Sequence, residues 1–414
     1  MNQTQKRETQ TLIQVVEEMR PQIIELLQSL IQIPSENPPG NYLEICDFLE
    51  NRLTQLGFEV QVIPVPEELT RAAGLSTPRK NVVAILRGSG GGKNLIFNSH
   101  LDTVPAGDPE QWEYPPFSGA IANGRIYGRG ATDSKGRLSA YIMAAAALAK
   151  ANIPRKGDII IAATCDEETG GVWGAGYLNE KRLVQGDMVI VEGYSNHIVR
   201  AMAGLLQVKI VTEGTPAHAG YKWKGVNAIE KMAKVVQELD RLQQELQRQP
   251  SSIPGMKYTT VNVGTIRGGT KVNVVPASCE IEVDFRVIPE HSLDSLYQRV
   301  AEILKSLEKE DPTFKARLTR KTEFETEATI TAENSPLVCE LQQAVQEVTG
   351  HTLPVVGALS QADTRWFVKN GIPGINFGPG TSENNLHGFN EYMEIEDLMQ
   401  TTKILAVLTK NIVG

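Results

Sequence analysis

Three short runs, NLIFNSH (94–100), DIIIAATCDEE (158–168) and DMVIVEG (187–193), are apolar at nearly every position of their bodies. A strand that meets solvent on one side alternates apolar with polar residues. One that is apolar throughout must be covered on both faces, as in a largely parallel sheet clad by helices. Helical patterns at 11–32, 42–57 and 137–152 alternate with these runs and with a further strand, NVVAILRG (81–88). The expectation for this part of the chain is an α/β sandwich.

Near residue 200 the pattern changes. A strand with alternating apolar positions (205–214) is followed by a helix (226–247), two strands (258–269 and 278–289), a helix (291–309) and a strand (315–324). The order βαββαβ is the split, ferredoxin-like motif. Helices at 335–349 and 394–411 and a short strand at 375–377 then restore the α/β character. At 414 residues the chain exceeds the size at which single cores stop growing, about 250–300 residues. The expected organisation is a discontinuous domain, 1–198 with 326–414, interrupted by an inserted domain, 199–325. A site in the outer domain would draw residues from both ends of the chain.

GSGGGKN (88–94) lacks the first glycine of a phosphate-binding loop and has Asn94 where such a loop needs Ser or Thr. Because it joins two strand-like runs, it is expected to form a hairpin turn.

Lys and Arg number 41 against 49 Asp and Glu, a formal net charge of -8 spread along the chain, which disfavours nucleic acid as a partner. No stretch approaches the roughly 18 apolar residues of a membrane span, and the polar opening residues carry no signal-peptide core. Cys46, Cys165, Cys279 and Cys339 show no paired spacing, which argues against a disulfide framework and suits a reducing cytoplasm.

Carboxylates and histidines gather where the apolar runs end. His100-Leu101-Asp102 leaves the first run with both polar side chains on one side, and a carboxylate so placed orients a ligating imidazole. Capping of a turn is the plainer role for that pair. Asp133, in GRGATDSKG before the helix 137–152, is either a helix N-cap or a short carboxylate able to bridge two cations. Asp166-Glu167-Glu168 closes the second run, and three successive carboxylates are costly unless cations compensate or one proton is shared. Glu192 ends the third run, and His387 lies in NNLHGFNEY near the other end of the chain. Strand ends of a parallel sheet face a common crevice. Two histidines and three carboxylates without cysteine suit two zinc, cobalt or manganese ions, roughly 3.5–4 Å apart.

Through SHLDTVP (99–105), GRGATDSKG (128–136), TCDEETG (164–170), GTPAHAG (214–220), NVVP (273–276), DFR (284–286), ADTR (362–365), GIPGINFGPG (371–380) and HGFNEY (387–392), the chain resembles the M20 metallopeptidase/amidohydrolase family. The resemblance covers nearly the whole chain and is to the branch of acetylornithine deacetylase and succinyl-diaminopimelate desuccinylase. It implies a zinc-exopeptidase-like α/β/α sandwich carrying an inserted α+β, ferredoxin-like domain that serves as lid and homodimer interface. The implied activity is metal-dependent hydrolysis of an amide in an N-acyl amino acid or peptide-like small molecule. His100 and Glu192 are implied as terminal ligands of one metal and Glu168 and His387 of the other, with Asp133 bridging them, often beside a cis peptide in this family. Glu167 corresponds to the general base, and Asp102 orients His100. His218 matches a histidine that stabilises the oxyanion across the dimer, although by sequence alone it is an ordinary loop histidine. Asn273 and Arg286 match residues that bind polar and carboxylate groups of the substrate, Arg286 being equally suited to a surface ion pair. Arg365 and the backbone at Gly378–Gly380 complete the implied substrate contacts.

Tyr194-Ser195 follows Gly193 where this branch usually has Pro and a small hydroxylic residue, Ser134 stands where Met is common, and Tyr221-Lys222-Trp223 stands where the family tends to have Pro. These departures bear on the substrate more than on the chemistry. A metallo-carboxypeptidase or dipeptidase is the nearest alternative, and a non-catalytic scaffold the remote one.

Overall fold

The computed structural model describes residues 3–414. The chain divides into two compact units, one taking the chain up to Arg200 together with Thr331–Val355 and Ala362–Gly414, the other taking Ala201–Ile330 and Val356–Gln361.

The sheet of the first unit runs in the order Glu59–Pro64, Lys80–Leu86, Ile159–Thr164, Leu95–His100, Met188–Val191, Gly374–Asn376 and Ile198–Met202. Its four central strands are mutually parallel, and those flanking them pair antiparallel. Leu95–His100, Ile159–Thr164 and Met188–Val191 are buried at every position, as two-sided cover requires. The alanine-rich helix Lys135–Lys150 is buried from Lys135 to Leu148. Its small side chains allow neighbours on all sides: the sheet, where Tyr141 stacks on Phe97 at 4.9 Å, and the helices Arg20–Ile31 and Ile395–Val413.

Two local expectations are corrected. The helical pattern at 11–32 forms two helices, Gln3–Glu18 and Arg20–Ile31, separated at Met19. Pro21 is the cause, because it lacks an N–H and fits only the first turn of the second helix. The glycine-rich segment 88–94 is not a hairpin turn. Lys80–Leu86 and Leu95–His100 are separated by Ile159–Thr164, which pairs antiparallel with the first and parallel with the second. The segment instead crosses the start of that middle strand, with Ser89 and Gly90 donating to the carbonyls of Arg155 and Lys156, each at 2.9 Å. The crossing is so close that a Cβ on Gly157 would stand 1.7 Å from the Lys93 carbonyl oxygen.

The second unit holds a four-stranded antiparallel sheet in the order Thr260–Gly268, Ser278–Val287, Gly204–Glu213, Ala316–Thr326. Burial alternates along the two central strands. Their buried residues, among them Val208, Ile210, Val283 and Phe285, meet Met232, Val235, Leu239, Leu296 and Val300 of the helices Ala228–Leu246 and Leu293–Glu310. Side chains of Asn227 and Ser292 cap the two helix N-termini. Chain order and sheet order together make this the ferredoxin-like arrangement. No helix among the described residues is long and apolar enough to cross a membrane.

Candidate metal centre

Three adjacent parallel strands of the first unit, Ile159–Thr164, Leu95–His100 and Met188–Val191, end along one edge of the sheet. His100 is the last residue of its strand, Glu192 follows directly on another, and Glu167–Thr169 forms a single turn just beyond the third. Two loops from distant parts of the chain reach the same edge. One carries Asp133, whose peptide to Ser134 is cis, and the other carries His387, with φ 59°.

The donor atoms converge. Nε2 of His100 lies 3.3 Å from Asp133 Oδ1, and Nε2 of His387 lies 3.2 Å from Asp133 Oδ2 and 3.4 Å from Glu168 Oε2. One ligand atom from each of His100, Asp133 and Glu168 falls within 4.8 Å of the others. Two donors about 2.0–2.1 Å from one tetrahedral ion stand roughly 3.3 Å apart, so these separations are those of shared ligands. Glu168 Oε1 and both carboxylate oxygens of Glu192 are buried without a hydrogen-bond partner among the described residues. Carboxylate oxygens left so in a protein interior are costly unless a cation meets them. By donor type, spacing and orphaned oxygens, the residues present fit a centre of divalent ions.

The electrostatics follow from crowding. Burial, then the neighbouring charges of Asp363, Glu192 and Glu168, pushes Glu167 well above the usual carboxylate range despite His100. Burial likewise raises Glu192, to about 8. Burial works to raise Asp133 also, but Arg137, His100 and His387 together hold it well below its ordinary value. His387, hydrogen-bonded to Asp133 and Glu168, is raised to about 10. Protons and divalent ions compete for these lone pairs.

Several supporting residues escaped the sequence reading. His100 Nδ1 lies 2.9 Å from the Asp102 carbonyl oxygen and 3.6 Å from its carboxylate, so the backbone is the nearer orienting group. The Asp102 carboxylate accepts instead from the amides of Glu167 and Glu168, each at 3.2 Å, and from Asn37, tying the His100 strand to the turn beside it. Asp166, at φ 61°, turns away from its two neighbours and pairs with the buried Arg79 at 2.7 Å, with Tyr42 and Asn37 also donating to it. That pair answers the like-charge problem of Asp166-Glu167-Glu168. Glu391 accepts from the amides of Gly130, Thr132 and Asp133 and from Arg129, so the loop of His387 is sewn to the loop of Asp133. Arg137, one helical turn beyond Asp133, donates to its Oδ1 at 2.7 Å. The spacing i, i+4 from an acid to a base is a legible signal of that pair.

The remaining candidates have separate surroundings. In the first unit, Arg365 donates to the Gly170 carbonyl and lies over the Trp366 ring at 5.2 Å. The Gly380 amide is already engaged with Asp397 at 2.6 Å, while Gly378 faces Arg137 and Tyr141. In the second unit, His218 and Asn273 are exposed on adjoining segments, the Asn273 carbonyl accepting from the Ala219 amide at 3.0 Å. His218 Nδ1 accepts from the Gly220 amide at 3.1 Å, which places its proton on Nε2. Arg286 is ion-paired with Asp284 at 2.9 Å, two residues away on its own strand.

A model of peptidase family M20/M25/M40 matches residues 96–411. The chain belongs to this family. It is similar to two proteins named N-formyl-4-amino-5-aminomethyl-2-methylpyrimidine deformylase. That of Halalkalibacterium halodurans is 29% identical over 421 residues, covering 95% of each chain, and that of Bacillus subtilis is 28% identical over 417 residues, covering 94% of each. Among solved structures, the aminopeptidase PepT of Bacillus cereus superposes with a TM-score of 0.79 over 95% of this chain and 99% of that one, at 24% identity. At that identity the likeness is one of fold. As an M20 protein the chain is a hydrolase of the amidohydrolase and peptidase type.

Proposed function

We propose that the chain removes a small acyl group from an amine, with formyl the first candidate, using two divalent ions of the zinc class. Zinc is the leading choice, and cobalt and manganese are the alternatives. His100 and Glu192 would hold one ion, Glu168 and His387 the other, and Asp133 both. The observation that carries this is the division of Asp133, whose two oxygens face two different histidines at 3.3 and 3.2 Å. When bound, such ions supply Lewis acidity toward the amide carbonyl and acidify water.

Glu167 is the proposed proton carrier. Its backbone is held by Asp102, and its half-buried carboxyl has a raised proton affinity that divalent ions would lower. It takes a proton from the attacking water and returns it to the leaving amine. His218 is the proposed donor to the developing oxyanion, offered from the partner of a homodimer formed through the second unit, and its Nε2–H tautomer supports that role. Asn273 and Arg365 are proposed to read the substrate, with Arg286, Gly378 and Gly380 in lesser parts because their polar groups or space are engaged nearby. The small N-acyl substrate is supported by the two deformylase relatives. Four free cysteines support a reducing, cytoplasmic setting.

The test is a substrate panel run on metal-reconstituted protein: N-formyl, N-acetyl and N-succinyl amines against dipeptides and tripeptides. Cleavage of the N-acyl amines, with the N-formyl compound fastest, is expected. Turnover of peptides alone would replace the deacylase reading with an M20 peptidase one.

A further inference from the structure

Arg137 is the buried cation of this cluster for which hydrolysis has no evident use. It is 4% exposed and makes two contacts that matter. Nη1 donates at 2.7 Å to Asp133 Oδ1, the same oxygen that faces His100. The guanidinium carbon lies 5.3 Å from the centre of the Tyr194 ring. Gly378 leaves room for the stem, since a Cβ there would stand 3.1 Å from Arg137 Cγ.

Burial excludes Arg137 as a clamp for a substrate carboxylate, because almost none of it is accessible. Its charge is permanent, for a guanidinium does not deprotonate in proteins. Beside Asp133 that charge has two effects of opposite sense. Without divalent ions it offsets the mutual repulsion of buried carboxylates. With them it repels: an ion about 2.1 Å from Asp133 Oδ1 lies within about 5 Å of Nη1, where even the dielectric constant of water leaves roughly a tenfold effect on binding. Outer partners of metal ligands are commonly carboxylates or carbonyls that increase ligand basicity. A cation bonded to the ligand oxygen does the reverse.

We propose that Arg137, capped by Tyr194, is a positioning residue that holds Asp133 in place in the ion-free protein and loosens its hold on a bound ion. The proposal rests on Asp133 being a metal ligand.

The test compares the wild type with R137M, R137K and Y194L after chelator stripping. Zinc and manganese dissociation constants are read by competition with a chelating dye, and the stripped proteins are melted. R137M is expected to bind at least about tenfold more tightly and to melt lower when stripped. R137K, read at a pH low enough to keep the buried ammonium charged, should stay within about threefold of the wild type in affinity, as should Y194L. If R137M does not fold, R137Q carries the same expectation. Unchanged or weaker binding by a folded charge-removing variant overturns the proposal, since an orienting partner loses affinity on removal. A wild type that binds no ion sinks the metal reading itself, which is a different result from bound ions and an unshifted variant.

Discussion

Replacing Arg79 with methionine isolates the charge problem at the turn that carries Glu167 and Glu168. Arg79 and Asp166 are each 2% exposed and lie 2.7 Å apart. The guanidinium also donates to the carbonyls of Pro39, Gly40 and Thr77, and Gly40 has no Cβ because one would stand 2.9 Å from it. Methionine fills much of the volume and leaves Asp166 buried with donors from Tyr42 and Asn37 but no cation. Breaking a buried pair from one side costs about 3–5 kcal/mol. For a unit of this size 1 kcal/mol moves the melting temperature by about 2–3 °C, so R79M should melt about 6–15 °C lower. Differential scanning calorimetry of chelator-stripped protein reads that change directly. The double variant R79M/D166N removes the stranded charge and should recover a substantial part of the loss. A fall of less than about 2 °C for R79M, or a double variant no better than R79M, would refute the argument that charge, and not packing, makes this pair matter.

Other outcomes follow from the same geometry. E167Q should keep its bound metal and lose at least about a hundredfold in turnover, checked by metal analysis beside the rate, because only the proton carrier is removed. E391Q should lower metal content, since one of the two accepting oxygens becomes an NH2 that opposes backbone donors of the Asp133 loop; a melting curve and metal titration together read it. Metal affinity should rise with pH and binding should release protons, measured by calorimetry in two buffers of different ionisation heat. The sign for the stripped protein is opposite. His387 and Glu192 both bind protons more tightly when folded, at about 10 and about 8, so the stability they contribute is full at low pH and lost as pH rises through those values. The stripped protein should therefore melt lower at pH 9 than at pH 6, while the rise in melting temperature on adding metal grows.

Strand existence was legible because burial on both faces leaves an unbroken apolar run, and Leu95–His100, Ile159–Thr164 and Met188–Val191 each lie inside the expected range. Strand order was not legible in the same way. Nothing local in 88–94 reveals that a strand more than sixty residues later fills the gap, and so the segment reads as a hairpin. His100, Glu168 and Glu192 could be singled out because a charge at the end of an apolar run stands out against its neighbours. Their supports could not. Arg79 meets Asp166 across 87 residues and Arg129 meets Glu391 across 262, and such pairings carry no spacing to read. The three successive carboxylates did signal that a compensating cation or a shared proton was needed, without saying which.

The strand Gly374–Asn376 lies between Met188–Val191 and Ile198–Met202, two strands close together in sequence that leave a slot for a third made much later. On a ribosome, the chain up to residue 200 emerges with that slot open and with both flanking edges offering unpaired backbone groups. The four strands of the second unit lie within residues 204–326 and can close first. Loops bearing His387 and Glu391 come later in the chain than that strand, so the site cannot be complete until the residues that fill the slot have been made.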